Sequence, residues 1–261
     1  MKIYRIWGIF LRYYYNLLRT YDRLVDMFFW PFIDLLLWGL TSRYIVATGT
    51  TNNTIVLALL GGIILWIFPW RGQYEITVSL LEDLWNRNLV NLFATPILFS
   101  EWVLTVMLIG IVKSTVSFAF ATLIAIVLYA ANIYTFGLLL LPWAAILITF
   151  GWVFGLLIAS LIMRYGTKIQ TLAWMSMAIV SPFAGVYYPI SVLPTWAQNV
   201  SHWVPVSYVF EAMRAILAGN PIPLSNLFWP FILCLIYFVI ALLLLISSYK
   251  EILKRGLISV E

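Results

Sequence analysis

Six long apolar stretches dominate this chain of 261 residues. A helix needs about 20 consecutive apolar residues to cross the hydrocarbon core of a bilayer. The stretches of this length lie near residues 24–46, 55–79, 99–130, 138–163, 170–190 and 226–249, and the third is either one long tilted helix or two segments. Because 64% of the residues are hydrophobic and only 10% are charged, folding alone cannot hide the apolar surface from water. The sequence therefore predicts an all-α integral membrane protein with six transmembrane helices in one domain, residues 1–261.

Positive charges are distributed unequally between the two sets of predicted loops. One set, together with both termini, carries eleven of the fifteen basic residues, namely Lys2, Arg5, Arg12, Arg19, Arg23, Arg87, Arg164, Lys168, Lys250, Lys254 and Arg255. The opposite loops carry only Arg43 and Arg214. By the positive-inside rule, both termini are expected in the cytoplasm, in a multi-pass protein of the inner (plasma) membrane. This placement assigns the net charge of +5 to membrane orientation rather than to nucleic-acid binding.

Residues 1–23 precede the first apolar stretch and do not have the pattern of a cleavable signal peptide. One apolar stripe recurs at spacings of three and four, formed by Ile3, Ile6, Phe10, Tyr13, Leu17 and Tyr21. Arg5, Arg12 and Arg19 recur every seven residues and share another face. This pattern favours a helix that lies in the interface of an anionic membrane leaflet. The alternative is a basic segment beside the membrane that only sets orientation.

Residues 82–96, EDLWNRNLVNLFATP, lie in the predicted cytoplasmic loop between the second and third spans. Acidic residues begin the segment, where a helix dipole favours negative charge, and Pro96 ends it. The apolar residues Leu84, Trp85, Leu89, Leu92 and Phe93 give it an apolar face. The pattern predicts an amphipathic helix of about three turns outside the membrane. Such a helix either binds another protein or rests in the lipid headgroups.

Ionisable residues within the predicted spans include Asp34, Arg71, Glu75, Glu101 and Lys113. A charge near the bilayer centre costs about 3 kcal/mol, so it normally faces protein or water. Asp34 and Lys113 lie at comparable depth, and we expect them to pair. Arg71 and Glu75 are four residues apart and can meet on one helix face, with Glu101 able to join them. These charges either lock helices together or line a path and contact the polar part of a substrate.

Tryptophans in the apolar stretches have two interpretations. Many lie at the ends of spans, where amphipathic rings favour the membrane interface. Trp30, Trp66, Trp152 and Trp174 lie deeper. The deeper rings either pack in the core or line a channel and stack on sugars or apolar chains.

Residues 181–214 contain four prolines, Pro182, Pro189, Pro194 and Pro205, yet remain largely apolar and aromatic. Proline lacks the amide donor and clashes with the preceding turn, so this segment cannot form one straight helix. A broken backbone is tolerated at membrane depth only where protein or a water-filled cavity covers it. The segment therefore predicts short re-entrant helices over residues 191–218, at the outer mouth of a transport path.

The sequence of this segment resembles the ABC-2 family of ABC-transporter permeases. That family has a G-x-x-Y/F-P-I/V turn, an L-P-x-W step and then P-x-x-Y followed by E-A-x-R. The matching residues here are Gly185, Tyr188, Pro189, Ile190, Leu193, Pro194, Trp196, Pro205, Tyr208, Glu211, Ala212 and Arg214. The resemblance extends to the N-terminal helix and to residues 84–97. There Leu84, Arg87, Leu92, Thr95, Pro96 and Ile97 match a sequence motif of the family. Asn88 and Asn91 depart from this motif, since family members often have Gly and Glu at these positions.

The resemblance implies roles for two segments. Residues 82–96 would be the coupling helix that binds an ATPase subunit, with its contacts formed by Glu82, Asp83, Leu84, Trp85, Arg87, Leu89, Leu92 and Phe93. Residues 181–214 would gate the exit, with the gate formed by Gly185, Tyr188, Pro189, Pro194, Trp196, Pro205, Tyr208, Glu211 and Arg214.

The chain has no G-x-x-x-x-G-K-S/T motif, so it cannot bind and hydrolyse ATP in the P-loop manner. The resemblance therefore implies two copies of a separate nucleotide-binding subunit, which carry the ATP and Mg²⁺. A second copy of this chain is implied as well, because six spans are half of the usual membrane set. We expect no cofactor, metal site or catalytic residue on this chain itself, whose one histidine is His202.

The expected function is the membrane subunit of an exporter that moves an amphipathic, drug-like or lipid-linked substrate out of the cytoplasm or inner leaflet. An exporter of polysaccharides or lipid-linked glycans is the alternative within the family. Two other classes compete: an integral membrane transferase, which would need clustered acids or histidines, and a membrane scaffold without transport activity.

Overall fold

A computed structural model describes residues 1–48, 53–220 and 225–255. Every regular element in these ranges is helical. The ten α-helices described are α1 (Ile3–Arg19), α2 (Tyr21–Ala47), α3 (Asn53–Trp85), α4 (Leu89–Ala94), α5 (Phe99–Tyr129), α6 (Leu140–Tyr165), α7 (Leu172–Ala184), α8 (Thr195–Ser201), α9 (Pro205–Leu217) and α10 (Ser225–Arg255). Short 3-10 helices occur at Ile133–Leu139, Gly166–Ile169 and Ile190–Val192.

Five helical stretches within the described residues are long and apolar enough to cross a membrane: Tyr21–Ala47, Ile55–Trp85, Phe99–Tyr129, Ile133–Ile169 and Leu227–Lys254. This confirms the prediction of an all-α membrane protein in its coarse form. The third predicted stretch is one continuous helix of 31 residues. The predicted fifth span, 170–190, contains α7 of only 13 residues, which is about 20 Å long. Helix α7 ends early because Gly185 adopts a left-handed conformation with φ of 72°.

Helices α3 and α6 form the centre of the bundle. In each, 72% of the most apolar window is buried, against 22–33% in the other three long helices. Small residues allow the two helices to approach closely, as is common in membrane bundles. A Cβ atom added to Gly151 would lie 2.4 Å from the carbonyl oxygen of Pro69, and one added to Gly155 would lie 2.9 Å from Ile76. The remaining long helices pack around this central pair.

Contacts between the helices define two ends of the bundle. The α1 end contains residues 1–23, 82–101, 164–172 and 247–254, where α1 packs on α5 and Arg164 donates to the Ser248 hydroxyl at 2.7 Å. The α9 end contains residues 43–48, 128–140, 185–193 and 214–220, where Arg43 donates to the Leu128 carbonyl at 2.6 Å. Chain segments on the same predicted side of the membrane therefore lie at the same end of the bundle.

The segment 82–96 differs from its predicted form. Residues 82–85 are the last turn of α3, and α4 begins only at Leu89. Between them Arg87 has φ of 50°, its amide donates to the Leu84 carbonyl at 2.9 Å, and the Asn88 amide donates to the Asp83 carbonyl at 2.8 Å. These two bonds form a Schellman cap, which ends a helix and reverses the chain. The prediction of one helix over 82–96 is wrong for this reason.

The segment after α7 lies alongside the long helices. The Tyr237 hydroxyl, twelve residues into α10, donates to the Trp203 carbonyl at 3.1 Å. The Phe210 ring of α9 lies 6.1 Å from the ring of Trp66, thirteen residues into α3. Trp203, which follows α8, and Phe210 of α9 are thus level with the middle of two long helices, whereas the last turn of α9 lies at the α9 end. Their position relative to a bilayer, and hence the re-entrant arrangement, stays a prediction.

Candidate functional site

Asp83 holds three parts of the chain together at the α1 end. Its carboxylate accepts hydrogen bonds from the Tyr13 hydroxyl at 2.6 Å, from Arg12 at 2.5 Å and from the Asn88 side chain at 3.0 Å. The Trp102 indole of α5 donates to the same Tyr13 hydroxyl at 2.9 Å. Burial, with the neighbouring negative charge of Asp83, raises the pKa of the Tyr13 phenol well above its ordinary value. Helix α1, α5 and the turn before α4 are therefore connected through one buried carboxylate, which we call the Asp83 cluster.

Glu101 provides a second connection to α1. Its carboxylate accepts from the Leu98 amide at 3.0 Å and from the Lys2 amide at 2.8 Å, with Arg5 at 3.9 Å. Glu101 is the third residue of α5, where a carboxylate can bond the exposed amides of the first turn. The prediction that it joins Arg71 and Glu75 is therefore wrong.

Helix α1 differs from the prediction in what its arginines contact. Its buried residues are Ile9, Tyr13 and Leu17, of which Tyr13 and Leu17 belong to the predicted apolar stripe, whereas Ile3 of that stripe is 85% exposed. Arg5 and Arg12, predicted to face lipid headgroups, contact Glu101 and Asp83 instead. The exposed face is aromatic and apolar, formed by Tyr4, Trp7, Tyr14 and Leu18. The two buried acids on α3 and α5 attract these arginines, which the periodicity of α1 alone could not show.

The residues predicted to contact an ATPase divide into two groups. Leu84, Leu89 and Leu92 are buried in the protein, and Glu82 forms an ion pair with Arg23. Trp85, Asn86 and Arg87 are exposed at the turn, where the Trp85 ring stacks on Trp174 with centroids 6.3 Å apart. Phe93 lies in α4, and its side chain is outside the described part of the structure. The described segment therefore presents the turn and the polar side of α4, while its leucines hold it to the bundle.

Lys113 pairs with Glu75 and not with Asp34. The Lys113 ammonium lies 2.6 Å from the Glu75 carboxylate, and both side chains are about 5% exposed. The predicted Asp34–Lys113 pair is wrong because Lys113 shares its helix face with Gly110, which packs against α3 beside Glu75. The predicted meeting of Arg71 and Glu75 is also not observed, since Arg71 contacts the carboxylate and the carbonyl of Asp26 on α2.

A cavity of about 330 Å³ lies between α2 and α3. Its wall contains Asp34 and Arg71 together with five large aromatic residues, Trp30, Trp38, Trp66, Trp70 and Tyr187. Two of the four tryptophans predicted as channel candidates, Trp30 and Trp66, line it. Trp152 lies near Phe238 and Trp174 lies near Trp85, both outside this cavity. The sequence did contain a signal for Trp38, because Trp30, Asp34 and Trp38 follow one another at helical spacings of four.

Three of the predicted gate residues form a polar network at the α9 end. Arg214 donates to the Gly185 carbonyl at 2.5 Å and to the Glu211 carboxylate at 2.8 Å, and the same carboxylate oxygen accepts from the Ile190 amide at 2.9 Å. The turn from Gly185 to Ile190 is thereby fixed to α9. Because Gly185 has no side chain, Arg214 can approach it, and an added Cβ would lie 2.9 Å from the guanidinium.

The remaining predicted gate residues lie around this network. Tyr188 donates to the Pro182 carbonyl at 3.2 Å, and Tyr208 donates to the His202 carbonyl at 3.1 Å. Pro189 and Pro194 precede short helices, and Pro205 begins α9, a position where proline is favoured. Trp196 is 63% exposed and lies 6.0 Å from Phe183. Whether this arrangement acts as a gate stays a prediction.

These observations define a multi-pass helical membrane protein with a structured turn at one end, an aromatic cavity at mid-depth and a proline-broken segment that extends from the other end to the level of the helix middles. In the described residues, no cluster of three or more His, Cys, Asp or Glu side chains that could hold a metal ion is present. A family model described as ABC-2 type transporter matches residues 6–218. The chain therefore belongs to the ABC-2 type transporter family, as the motif at 181–214 indicated, and is a transmembrane component of such a transporter. A comparison with curated proteins gives no significant match.

Membership in the family has two general consequences. Members are transport subunits that are generally not catalytic themselves, and they generally work with an ATP-binding subunit. The identity of that subunit and of the transported compound belongs to the proposals that follow.

Proposed function

We propose that this chain is the membrane subunit of an ATP-driven exporter, which moves an amphipathic, drug-like or lipid-linked compound out of the cytoplasm or inner leaflet. Two copies of the chain form a two-fold dimer, and two copies of a separate ATPase bind ATP and Mg²⁺ at the α1 end. That end carries most of the basic residues, which supports a cytoplasmic position for both termini in the inner (plasma) membrane.

The observation that supports this function best is the Asp83 cluster. The exposed turn at Trp85–Arg87 follows a helix end that is bonded to α1 and, through Tyr13, to α5. A load applied to the turn is therefore passed to several helices at once rather than absorbed by a loose loop. This rigidity is what a coupling element needs if closure of an ATPase pair is to move the membrane helices.

The proposed mechanism follows from these connections. Closure of the two ATPase subunits on ATP pushes residues 82–96, and α1, α2, α3 and α5 move together through their ion pairs. The path at the dimer interface changes its exposure, and the segment 181–214 at the other end opens to release the substrate. This shift requires that ATP binds more tightly to the closed state of the ATPase pair than to its open state.

Proline at Leu92 tests the coupling assignment. The Leu92 amide donates to the Asn88 carbonyl at 2.9 Å within α4, and proline has no amide to donate. Leu92→Pro should abolish co-purification of the ATPase subunit and the ATP turnover of the complex. Leu92→Ala removes the same buried side chain but keeps the amide, so it should retain most of both. An ATPase that stays bound to the Leu92→Pro chain, in membranes where the chain is folded, would show that residues 82–96 are not the coupling element.

Charge reversal tests the exposed turn separately. Arg87→Glu should weaken ATPase association and coupled ATP turnover, because the turn would present the opposite charge to the partner. Lys254→Glu makes the same charge change at the same end of the bundle, in α10, and should leave association unchanged. Equal effects of the two substitutions would indicate general electrostatic repulsion and would contradict a specific contact at the turn.

A further inference from the structure

Asp34 is an acidic residue without an ion-pair partner in the described structure, and it lies at the middle of a membrane-spanning helix. It lies thirteen residues from either end of α2, and its side chain is exposed in the single chain. Within the described residues, no ion pair or hydrogen bond joins Asp34 to another group. A carboxylate at this depth requires water, protein dipoles or a cation beside it.

The other charges near the cavity neutralise one another. Arg71 also lines the cavity, but its guanidinium contacts the carboxylate and the backbone carbonyl of Asp26. Lys113 is held by Glu75 at 2.6 Å. Among the described residues that line the cavity, no basic side chain is left to pair with Asp34, so the cavity offers one unpaired carboxyl group to a ligand.

Aromatic rings surround this carboxylate. Trp30 and Trp38 lie one helical turn before and one after Asp34 on α2, and Trp66 and Trp70 face them from α3. Tyr187 completes the wall and stacks on Trp38 with centroids 5.0 Å apart and ring planes inclined by 24°. The faces of tryptophan rings attract cations, most strongly where water is excluded. Four tryptophans, a tyrosine and an unpaired carboxylate are the components of a site for an organic cation.

We propose that this cavity binds an apolar organic cation of the substituted-ammonium class, with its charged nitrogen beside Asp34 and its apolar part against the tryptophans. The volume of about 330 Å³ is sufficient for a small ligand. An anionic group, such as the diphosphate of a lipid-linked glycan, would be repelled by Asp34, and a neutral compound would leave the carboxylate without a partner. That this cation is the exported substrate rests on the proposed function, whereas its binding does not.

Binding of benzyltrimethylammonium and of its uncharged carbon isostere, neopentylbenzene, tests the proposal. The full chain is placed in nanodiscs of zwitterionic lipid, and bound ligand is measured by equilibrium dialysis. Asp34→Asn should lower the affinity for the ammonium compound about tenfold or more, because the single counter-charge is lost. The same substitution should change the affinity for neopentylbenzene less than about twofold. Asp34→Glu, which keeps the carboxylate, should retain most of the binding.

Asp22→Asn is the matched control, since Asp22 is likewise without an ion-pair partner in the described structure but lies in the first turn of α2, outside the cavity. It should leave both affinities unchanged. Trp38→Leu should weaken cation binding several-fold, which keeps the test valid if Asp34→Asn fails to fold. Equal affinity of Asp34→Asn and the native chain for the cation would overturn the proposal. Equal losses for cation and isostere would overturn it too, because the charge would then not be what is recognised.

ATP turnover of the complex separates the site from the proposed function. Stimulation of ATP hydrolysis by benzyltrimethylammonium, lost in Asp34→Asn, would support the cation as cargo. Binding without any effect on turnover would overturn its role as cargo and leave the binding site standing. Coupled turnover with no cation binding would overturn the substrate class while the exporter function remains.

Discussion

At the α1 end polar side chains mainly contact the side chains of other helices, whereas at the α9 end they contact backbone groups. Arg12, Tyr13 and Asp83 are an example of the first kind. Arg214, which donates to the Gly185 carbonyl, and Gln198, which donates to the Leu193 carbonyl at 2.7 Å, are examples of the second. The difference reflects the state of the backbone. Continuous helices satisfy their own backbone groups, while the proline-broken segment leaves carbonyls and amides that side chains must satisfy.

The stability of the two ends should therefore respond differently when charged side chains are removed. Where two side chains form an ion pair, removing both can restore stability, because neither is left buried alone. Where a side chain bonds a backbone group, the backbone carbonyl or amide stays in place whichever side chains are replaced. A second substitution therefore cannot remove the group that was left without a partner. Each end therefore predicts a different outcome for paired substitutions.

The largest effect is expected at the intramembrane pair Lys113–Glu75, which is of the side-chain-to-side-chain kind. Lys113→Met leaves the Glu75 carboxylate buried without a counter-charge and should lower the free energy of unfolding by about 3 kcal/mol. Lys113→Met with Glu75→Gln should recover more than half of this loss. Chemical denaturation in detergent micelles measures both. A double variant as unstable as the single variant would contradict the ion-pair interpretation.

At the α9 end, Arg214→Leu should lower the free energy of unfolding by about 2 kcal/mol, because the Gly185 carbonyl loses a charged donor. Here the double variant Arg214→Leu with Glu211→Leu should give no recovery, since the Gly185 carbonyl and the Ile190 amide both stay unsatisfied. Glu211→Gln keeps an acceptor for the Ile190 amide and should cost less than Arg214→Leu. Recovery in the double variant would show that the two ends do not differ as described.

Gly185→Ala should lower the free energy of unfolding by about 1.5 kcal/mol, because alanine is strained at a φ of 72° and its Cβ would contact Arg214. Gly219→Ala is a matched control. Gly219 also has a positive φ, of 80°, but nothing lies within 4 Å of an added Cβ. The difference between the two substitutions, measured by thermal unfolding, isolates the contribution of the Arg214 contact. Identical losses would indicate that only backbone strain matters at Gly185.

The sequence predicted the helices of this fold better than the contacts between them. Apolar stretches of sufficient length are helical in lipid, so the helical form of Phe99–Tyr129 was foreseeable, whereas the sequence left open whether it is one helix or two. The partner of Lys113 was not foreseeable, because several acids lie at similar depths and only packing decides which one faces α5. The prediction that the arginines of α1 face lipid headgroups was wrong for a related reason, because Asp83 and Glu101, distant in sequence, attract Arg12 and Arg5.

The candidate sites show the same limit. The motif at 181–214 named Gly185, Glu211 and Arg214 as gate residues, and the structure places these three in contact, although the sequence did not predict which of them meet. The predicted helix over 82–96 was wrong, because the chain turns at Arg87. Arginine rarely adopts the left-handed conformation found there, so nothing in the sequence marked a turn at this position.

That left-handed arginine gives the smallest expected effect. Arg87 occupies the position of the Schellman cap that glycine usually fills, with φ of 50°. Arg87→Gly should be more stable than Arg87→Ala by about 1 kcal/mol, because alanine pays the same left-handed strain as arginine and glycine does not. Comparing Gly with Ala at one position removes the contribution of the arginine side chain from both. Thermal unfolding of the two variants measures the difference, and equal stability would mean that the turn before α4 relaxes freely. A turn that relaxes in this way could not transmit force from an ATPase, so the same measurement also tests the rigidity on which the comparison of the two ends depends.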